Sequence, residues 1–384
     1  MEATRTAPEG VEERPAAGAG VVIATVGLVG SVLSWPGQPA VTVGDLGSPL
    51  AGALSVVLLA AFLARRWGRA DRTVGSPVAG VAAATLLGLA IVRLVAPAAG
   101  TEQAPAVGPG LALAMTAGLL GVGLALADYR GVSRGGLGEM GKRVAVGFAL
   151  TVAAFVVSLL VSIPMGLVAV DEFTTLVVNV LSGLTEVGFV LVALGFLLAT
   201  DRGLGWIDVS WPSLREVAIA VGGLFALLGL QVVVGLLVQS LGVPTSSNTV
   251  SRVAERAAER GHADLILLMV PMMIFVVGPA EELLYRGVIQ KYFYGVFTRH
   301  GAVLAASTVF AAAHVLAYYD ENPAALFVSL ASVFTLSLLL GLLYERTENV
   351  VVPAVAHGTF NAVLVLLLYA RTVVEVPETA MLLP

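Results

Sequence analysis

The sequence predicts an all-α, polytopic membrane protein with about eleven transmembrane helices. Of its 384 residues, 58% are hydrophobic and only 12% are charged, and the mean hydropathy is +0.93. Soluble domains carry about 25% charged residues, so this composition requires lipid around most of the surface. The apolar residues occur in long continuous runs, whereas a transmembrane barrel would show short segments of alternating polarity. The spanning elements are therefore helices.

Each expected span supplies roughly 20 mostly apolar residues, which is the length that crosses about 30 Å of hydrocarbon. The stretches that meet this requirement are 19–36, 48–64, 76–97, 108–127, 144–168, 174–199, 216–241, 263–284, 301–319, 324–344 and 350–370. Arginine clusters follow the second and fourth spans, and basic loops remain on the cytoplasmic side. We expect a multi-pass protein of the cell membrane with a cytoplasmic N-terminus.

Composition divides the chain into three regions. Residues 1–18 are polar and partly acidic, which indicates a disordered N-terminal tail. The polar connection 200–215 indicates a seam between an N-terminal bundle, 19–205, of unknown role and a C-terminal bundle, 206–384.

Charge and cysteine content exclude several classes of function. The formal net charge is -5 and no basic run is present, so nucleic acid is not an expected partner. The chain contains no cysteine, which excludes disulfides, thiolate metal sites and cysteine nucleophiles.

Ionisable and amide side chains inside predicted spans are the sharpest indication of chemistry, because burying them in a membrane is costly. In the C-terminal bundle they are Glu281, Glu282, Arg286, His314, His357 and Asn361. The N-terminal bundle contains two isolated candidates. Arg93 lies close enough to the end of its span to reach the interface. Glu186 lies near mid-span, where it either pairs with an arginine or marks a pathway.

Helical spacing separates the two neighbouring glutamates. Glu282 lies one turn from Arg286 and can pair with it, whereas Glu281 points about 100° away. The unpaired carboxylate of Glu281 is suited to act as a general base. Taken alone, the Glu282–Arg286 pair is equally well explained as an ion pair at the membrane interface with no part in catalysis.

The remaining polar residues can complete a hydrolytic site. A neutral His314 ring can hold a water molecule against Glu281, with Phe310 packed beneath the ring. His357 and Asn361 are four residues apart on one helix, so both can stabilise the oxygen of an attacked carbonyl. Each histidine, taken alone, is also compatible with hydrogen bonding between packed helices.

These residues form three motifs on successive helices, which are Glu281-Glu282-x-x-x-Arg286, Phe310-x-x-x-His314 and His357-x-x-x-Asn361. In this order, the three motifs resemble those of the CPBP family. This family comprises the CAAX-processing proteases and their bacterial and archaeal relatives, including bacteriocin-processing and immunity proteins. The resemblance covers roughly 263–370, with the diagnostic positions inside 281–361. It implies that Glu281 activates water with His314 as partner, that Glu282 and Arg286 form a supporting pair, and that His357 and Asn361 stabilise the oxyanion.

The resemblance implies an intramembrane endopeptidase that hydrolyses membrane-associated peptides or proteins within the lipid bilayer. A metal-free, glutamate-dependent mechanism is expected, with no cofactor, while a zinc ion held by Glu281, His314 and His357 stays open. One alternative is a non-enzymatic immunity or scaffold protein of the same fold that binds a peptide or partner helix. Another is a small-solute carrier, which would require related halves with broken helices.

Overall fold

The computed structural model describes residues 14–33, 47–95, 109–240, 242, 245–320 and 322–374. Within these ranges the chain forms helices and turns, with no strand, so the predicted all-α class is confirmed. Ten of the described helices are long and apolar enough to cross a membrane. The chain divides into two compact units. Unit 1 is Met1–Gly141 with Asn322–Ala324, and unit 2 is Lys142–Glu321 with Ala325–Pro384.

Unit 1 contains four long helices. They are α1 (Pro15–Val32), α2 (Gly47–Arg66), α3 (Arg72–Val95) and α4 (Pro109–Tyr129). Small residues let their backbones approach closely, as is common between membrane helices. A Cβ atom added to Gly118 of α4, for example, would lie 2.7 Å from the backbone nitrogen of Leu87 on α3.

Unit 1 also contains a buried ion pair that joins three of these helices. Arg65 Nε donates to Asp128 Oδ2 at 2.6 Å, and the hydroxyl of Ser76 donates to the same oxygen at 2.6 Å. Both charged side chains are less than a tenth exposed. The opposite charges compensate each other inside an otherwise apolar bundle.

Unit 2 contains the helices that carry the predicted site. They are α5 (Arg134–Leu167), whose first turns belong to unit 1, then α6 (Glu172–Ala199), α7 (Leu214–Ser240), α8 (Thr249–Glu259), α9 (Ala263–Phe293), α10 (Arg299–Ala313), α11 (Pro323–Thr347) and α12 (Val351–Val374). Helix α8 is amphipathic and buries its apolar residues Val253, Ala254 and Ala257.

The structure differs from the sequence-based expectations in three places. The unit boundary falls inside α5, at Gly141, rather than near residue 205. Helix α1 begins at Pro15, so residues 15–18 of the expected disordered tail are helical, while 1–13 lie outside the described residues. The expected span 301–319 is helix α10, which has only 15 residues. Such a helix measures about 22 Å, too short to cross the hydrocarbon, so the described chain has ten candidate spans rather than eleven.

Candidate active site

A cavity of about 870 Å³ lies within unit 2. Four of the six predicted site residues line it, namely Glu281, His314, His357 and Asn361. The other two, Glu282 and Arg286, are completely buried. The arrangement therefore combines cavity-facing polar groups with an enclosed ion pair.

Helix α9 is irregular where it carries the two neighbouring glutamates. Two π-helical stretches, Met273–Val277 and Leu283–Gln290, flank a short α-helical turn, Gly278–Glu282. Pro279 lies in that turn and has no amide hydrogen to contribute to the helical ladder. π-Helical insertions occur frequently at functional sites, because they alter the direction of neighbouring side chains.

Two glycines set the distance between α9 and α12. A Cβ atom added to Gly278 would lie 2.7 Å from the Cα of Gly358. A Cβ atom added to Gly358 would lie 2.6 Å from the carbonyl oxygen of Met273. Neither position has space for a larger side chain. This close approach brings the glutamates of α9 beside the polar face of α12.

Glu282 and Arg286 together connect three helices. Its Oε2 accepts a hydrogen bond from Arg286 Nε at 2.8 Å, and its Oε1 lies 3.0 Å from His357 Nδ1. The guanidinium of Arg286 also donates to the hydroxyl of Ser337, on α11, at 3.0 Å. Since an ionised carboxylate only accepts hydrogen bonds, His357 donates from Nδ1. This bond orients the ring and holds its tautomer.

The other nitrogen of His357 lies between two cavity-lining side chains. His357 Nε2 is 3.1 Å from Asn361 Nδ2 and 3.7 Å from Glu281 Oε2. The first distance is that of a hydrogen bond, and the second exceeds one. Glu281 is a buried residue, 7% exposed, and its carboxylate lies near the imidazole without a hydrogen bond to it at this distance.

His314 ends helix α10 rather than occupying the middle of a span. It is the C-cap residue, and its Nδ1 lies 2.8 Å from the carbonyl oxygen of Phe310, one turn earlier. A carbonyl oxygen can only accept, so Nδ1 carries the proton and Nε2 of the neutral ring is a hydrogen-bond acceptor. His314 therefore offers an acceptor nitrogen for a bound molecule.

Phe310 packs against both histidines. Its ring centroid lies 4.5 Å from that of His314 and 5.9 Å from that of His357. Tyr285 contacts the same ring edge-on at 4.8 Å, and the guanidinium carbon of Arg286 lies 5.1 Å from its centroid. Phe310 thus provides a common aromatic wall that limits how the two imidazoles can move.

The possible metal ligands do not form a metal site in the described part of the chain. No group of three or more His, Asp or Glu side chains there has an arrangement that could hold an ion. His357 directs Nδ1 to Glu282 and has Nε2 within hydrogen-bond distance of Asn361, so neither nitrogen is left for a metal without rearrangement. In the described arrangement, Glu281, His314 and His357 do not form a three-ligand set.

Glu186 also belongs to the cavity, although sequence reasoning did not connect it with the other polar residues. Helix α6 is interrupted by a 3-10 stretch, Leu181–Glu186, and Glu186 lines the same cavity as Glu281. Its unusual mid-span position was the only signal in the sequence. The neighbouring helix that Glu186 faces depends on how the helices pack. The spacing of residues along α6 does not reveal that neighbour.

Comparison with known protein families finds a match for the segment that carries the predicted site residues. Residues 263–363 match the family model described as Rce1-like, type II CAAX prenyl endopeptidase. This match confirms the predicted family resemblance. The matched segment includes all six predicted site residues and supports an intramembrane protease activity in general terms. The matched segment does not include Glu186.

A curated relative is similar over part of its length. "Uncharacterized protein YpbD" of Bacillus subtilis (strain 168) is 38% identical over 97 residues. The alignment covers 24% of this chain and 44% of the relative, so the chain spans less than half the length of the curated relative it matches. No solved structure matches the chain.

Proposed function

We propose that this protein is a glutamate-dependent intramembrane endopeptidase that cleaves membrane-associated peptides or proteins. The observation that carries the proposal is the shared cavity onto which Glu281, His314, His357 and Asn361 open. A carboxylate base, an imidazole acceptor and two potential hydrogen-bond donors are the groups that hydrolysis of an amide requires. The family match over 263–363 supports the same class of reaction.

In the first step, a water molecule binds between Glu281 and His314. The water donates one hydrogen bond to His314 Nε2 and gives its other proton to the carboxylate of Glu281. The resulting hydroxide oxygen attacks the carbonyl carbon of the scissile peptide bond. The carbonyl oxygen becomes an oxyanion on a tetrahedral intermediate.

His357 and Asn361 stabilise that oxyanion. For His357 to donate from Nε2 while Nδ1 donates to Glu282, its ring has to be an imidazolium, which Glu282 and the developing oxyanion stabilise. Asn361, whose amide nitrogen lies 3.1 Å from Nε2 in the structure, then turns that nitrogen away from the protonated ring and donates to the oxyanion. Donors that are already oriented when charge develops lower the barrier more than mobile ones, and Glu282 supplies the orientation of His357.

In the last step, the tetrahedral intermediate collapses. The carbon–nitrogen bond breaks, and Glu281 returns its proton to the departing amine. The products are a new carboxyl terminus and a new amino terminus, and Glu281 is again ionised. Water is the only co-reactant in this sequence.

Mapping the termini of membrane peptides tests the proposal. Cells that express the wild type and Glu281→Gln at equal levels are compared, with Glu255→Gln as a control because Glu255 is an exposed carboxylate at the cavity lining. We expect new termini with the wild type and with Glu255→Gln, and none with Glu281→Gln. If the folded wild type produces no new termini, the endopeptidase proposal is wrong and a binding protein of the same fold is favoured.

A further inference from the structure

Glu186 brings a second carboxylate to the cavity that contains Glu281. One of its oxygens, Oε2, is buried and has no hydrogen-bond partner in the structure. The residue closes the 3-10 stretch Leu181–Glu186, and the regular helix resumes at Val187. A backbone irregularity therefore coincides with a mid-span ionisable side chain, and π-helical stretches likewise flank the glutamates of α9.

The surroundings of Glu186 favour a cation. Glu186 is close enough to Glu281 for the two carboxylates to interact electrostatically. Among the described residues that line the cavity, Arg371 is the only lysine or arginine. Phe155 and Phe189 line the same cavity, with ring centroids 5.5 Å apart and an interplanar angle of 84°. Aromatic faces beside a carboxylate attract ammonium and guanidinium groups.

We propose that Glu186 binds a lysine or arginine side chain of the peptide substrate and thereby selects where the chain is cleaved. This inference rests on the proposed endopeptidase function. An ionised carboxylate with one oxygen buried and unpartnered is unfavourable, and a bound basic side chain would supply both the missing donor and the compensating charge. Glu281 cannot serve the same purpose in the proposed reaction, because its carboxylate takes the proton from water.

With this assignment, a residue outside the matched segment contributes to substrate specificity. The matched segment, 263–363, contains the proposed chemistry, whereas Glu186 lies on α6, earlier in the chain. Relatives that share the matched segment would then differ in substrate according to the residue that occupies this position of the cavity.

The composition of cleavage sites provides the first test. Termini are mapped in cells expressing the wild type, Glu186→Gln, Glu255→Gln and Glu281→Gln. We expect lysine and arginine to be enriched within about five residues of wild-type cleavage sites, a span of about 17 Å in an extended chain. The enrichment should persist in Glu255→Gln and disappear in Glu186→Gln, which should still produce new termini.

Kinetics on one peptide provide the second test. A synthetic peptide spanning a wild-type cleavage site is inserted into phosphatidylcholine vesicles that contain the purified protein. Glu186→Gln should raise KM about ten-fold with little change in kcat, as expected for loss of a charge-assisted hydrogen bond. Replacing the basic residue of the peptide by glutamine should have the same effect on the wild type, and the two changes together should add nothing further.

The outcomes separate the two proposals. Absence of wild-type termini contradicts the endopeptidase itself. Wild-type termini without basic enrichment, or strictly multiplicative effects of the two substitutions, contradict the role of Glu186 alone. A folded Glu186→Gln variant that has lost kcat on every peptide would also overturn it, because recognition would not explain that loss. If Glu186→Gln does not fold, the altered peptide on the wild-type protein still decides the question.

Discussion

Glu282 and His357 are joined by a contact of 3.0 Å between Oε1 and Nδ1, and the same carboxylate accepts from Arg286 at 2.8 Å. One buried side chain therefore compensates a guanidinium and orients an imidazole. The contact links α9 to α12 at the point where Gly278 and Gly358 meet, so the position of His357 depends on both charge and backbone packing.

Glu282→Gln should reduce both stability and activity. The amide keeps the size of the side chain but leaves Arg286 as a buried charge without compensation, which costs about 3–5 kcal/mol. Activity should fall about 10- to 100-fold, because His357 loses the partner that orients it. The double variant Glu282→Gln/Arg286→Gln should recover stability and not activity. Thermal unfolding in detergent and peptide cleavage measure the two effects, and normal activity in the single variant would contradict the role of Glu282.

Gly278→Ala should impair cleavage by separating α9 from α12. The new methyl group would meet the backbone of Gly358, and a shift of about 1 Å in catalytic groups can cost a factor of about 100 in rate. Gly229→Ala is the matched control, because it also changes a glycine inside a helix but has open space around its Cβ position. If both variants cleave peptides at the wild-type rate, the close crossing is not needed for the site.

His314→Ala should lower kcat about 10²- to 10⁴-fold with a small effect on folding, because the water that gives its proton to Glu281 loses the acceptor that positions it. The only hydrogen bond described for the ring goes to Phe310 of its own helix, so little tertiary bonding is lost. His300→Ala removes an exposed histidine from the same helix and should be neutral. Comparable losses of melting temperature and activity in His314→Ala would instead indicate a packing residue.

Removal of divalent metal should leave peptide cleavage unchanged. The described residues offer no set of three His, Asp or Glu ligands, and His357 is committed to Glu282 and Asn361. The test is activity of the purified protein in vesicles before and after dialysis against a chelator. Loss of activity that added zinc restores would overturn the metal-free mechanism.

Asp128→Ala should destabilise unit 1. The substitution leaves the guanidinium of Arg65 buried without its partner and removes the acceptor of Ser76. A cost of about 3–5 kcal/mol is typical of such a broken pair. Replacing both charged residues, Arg65→Met with Asp128→Leu, should restore most of the stability, as judged by thermal unfolding. If Asp128→Ala is as stable as the wild type, the Arg65–Asp128 ion pair contributes little to the stability of unit 1.

Local spacing predicts those features of the site that lie on one helix. Residues four apart share a helical face, so the pairing of Glu282 with Arg286 and the proximity of His357 to Asn361 follow from the sequence. The contact between Phe310 and His314 follows for the same reason. Contacts between helices do not follow, because spacing along a helix does not reveal which neighbour its polar face meets.

The sequence by itself determined the all-α membrane architecture, the family resemblance over roughly 263–370 and the residues that carry the candidate chemistry. Composition and helical period are sufficient for these, since lipid requires helical backbone bonding and apolar surfaces. The tertiary structure decided that α10 ends at Ala313 with His314 as its cap, and that Glu186 shares a cavity with Glu281. Apolar residues continue beyond the end of α10, from Val315 to Ala317, so the sequence does not mark where this helix stops. Only the packing of separate helices brings distant side chains into one cavity.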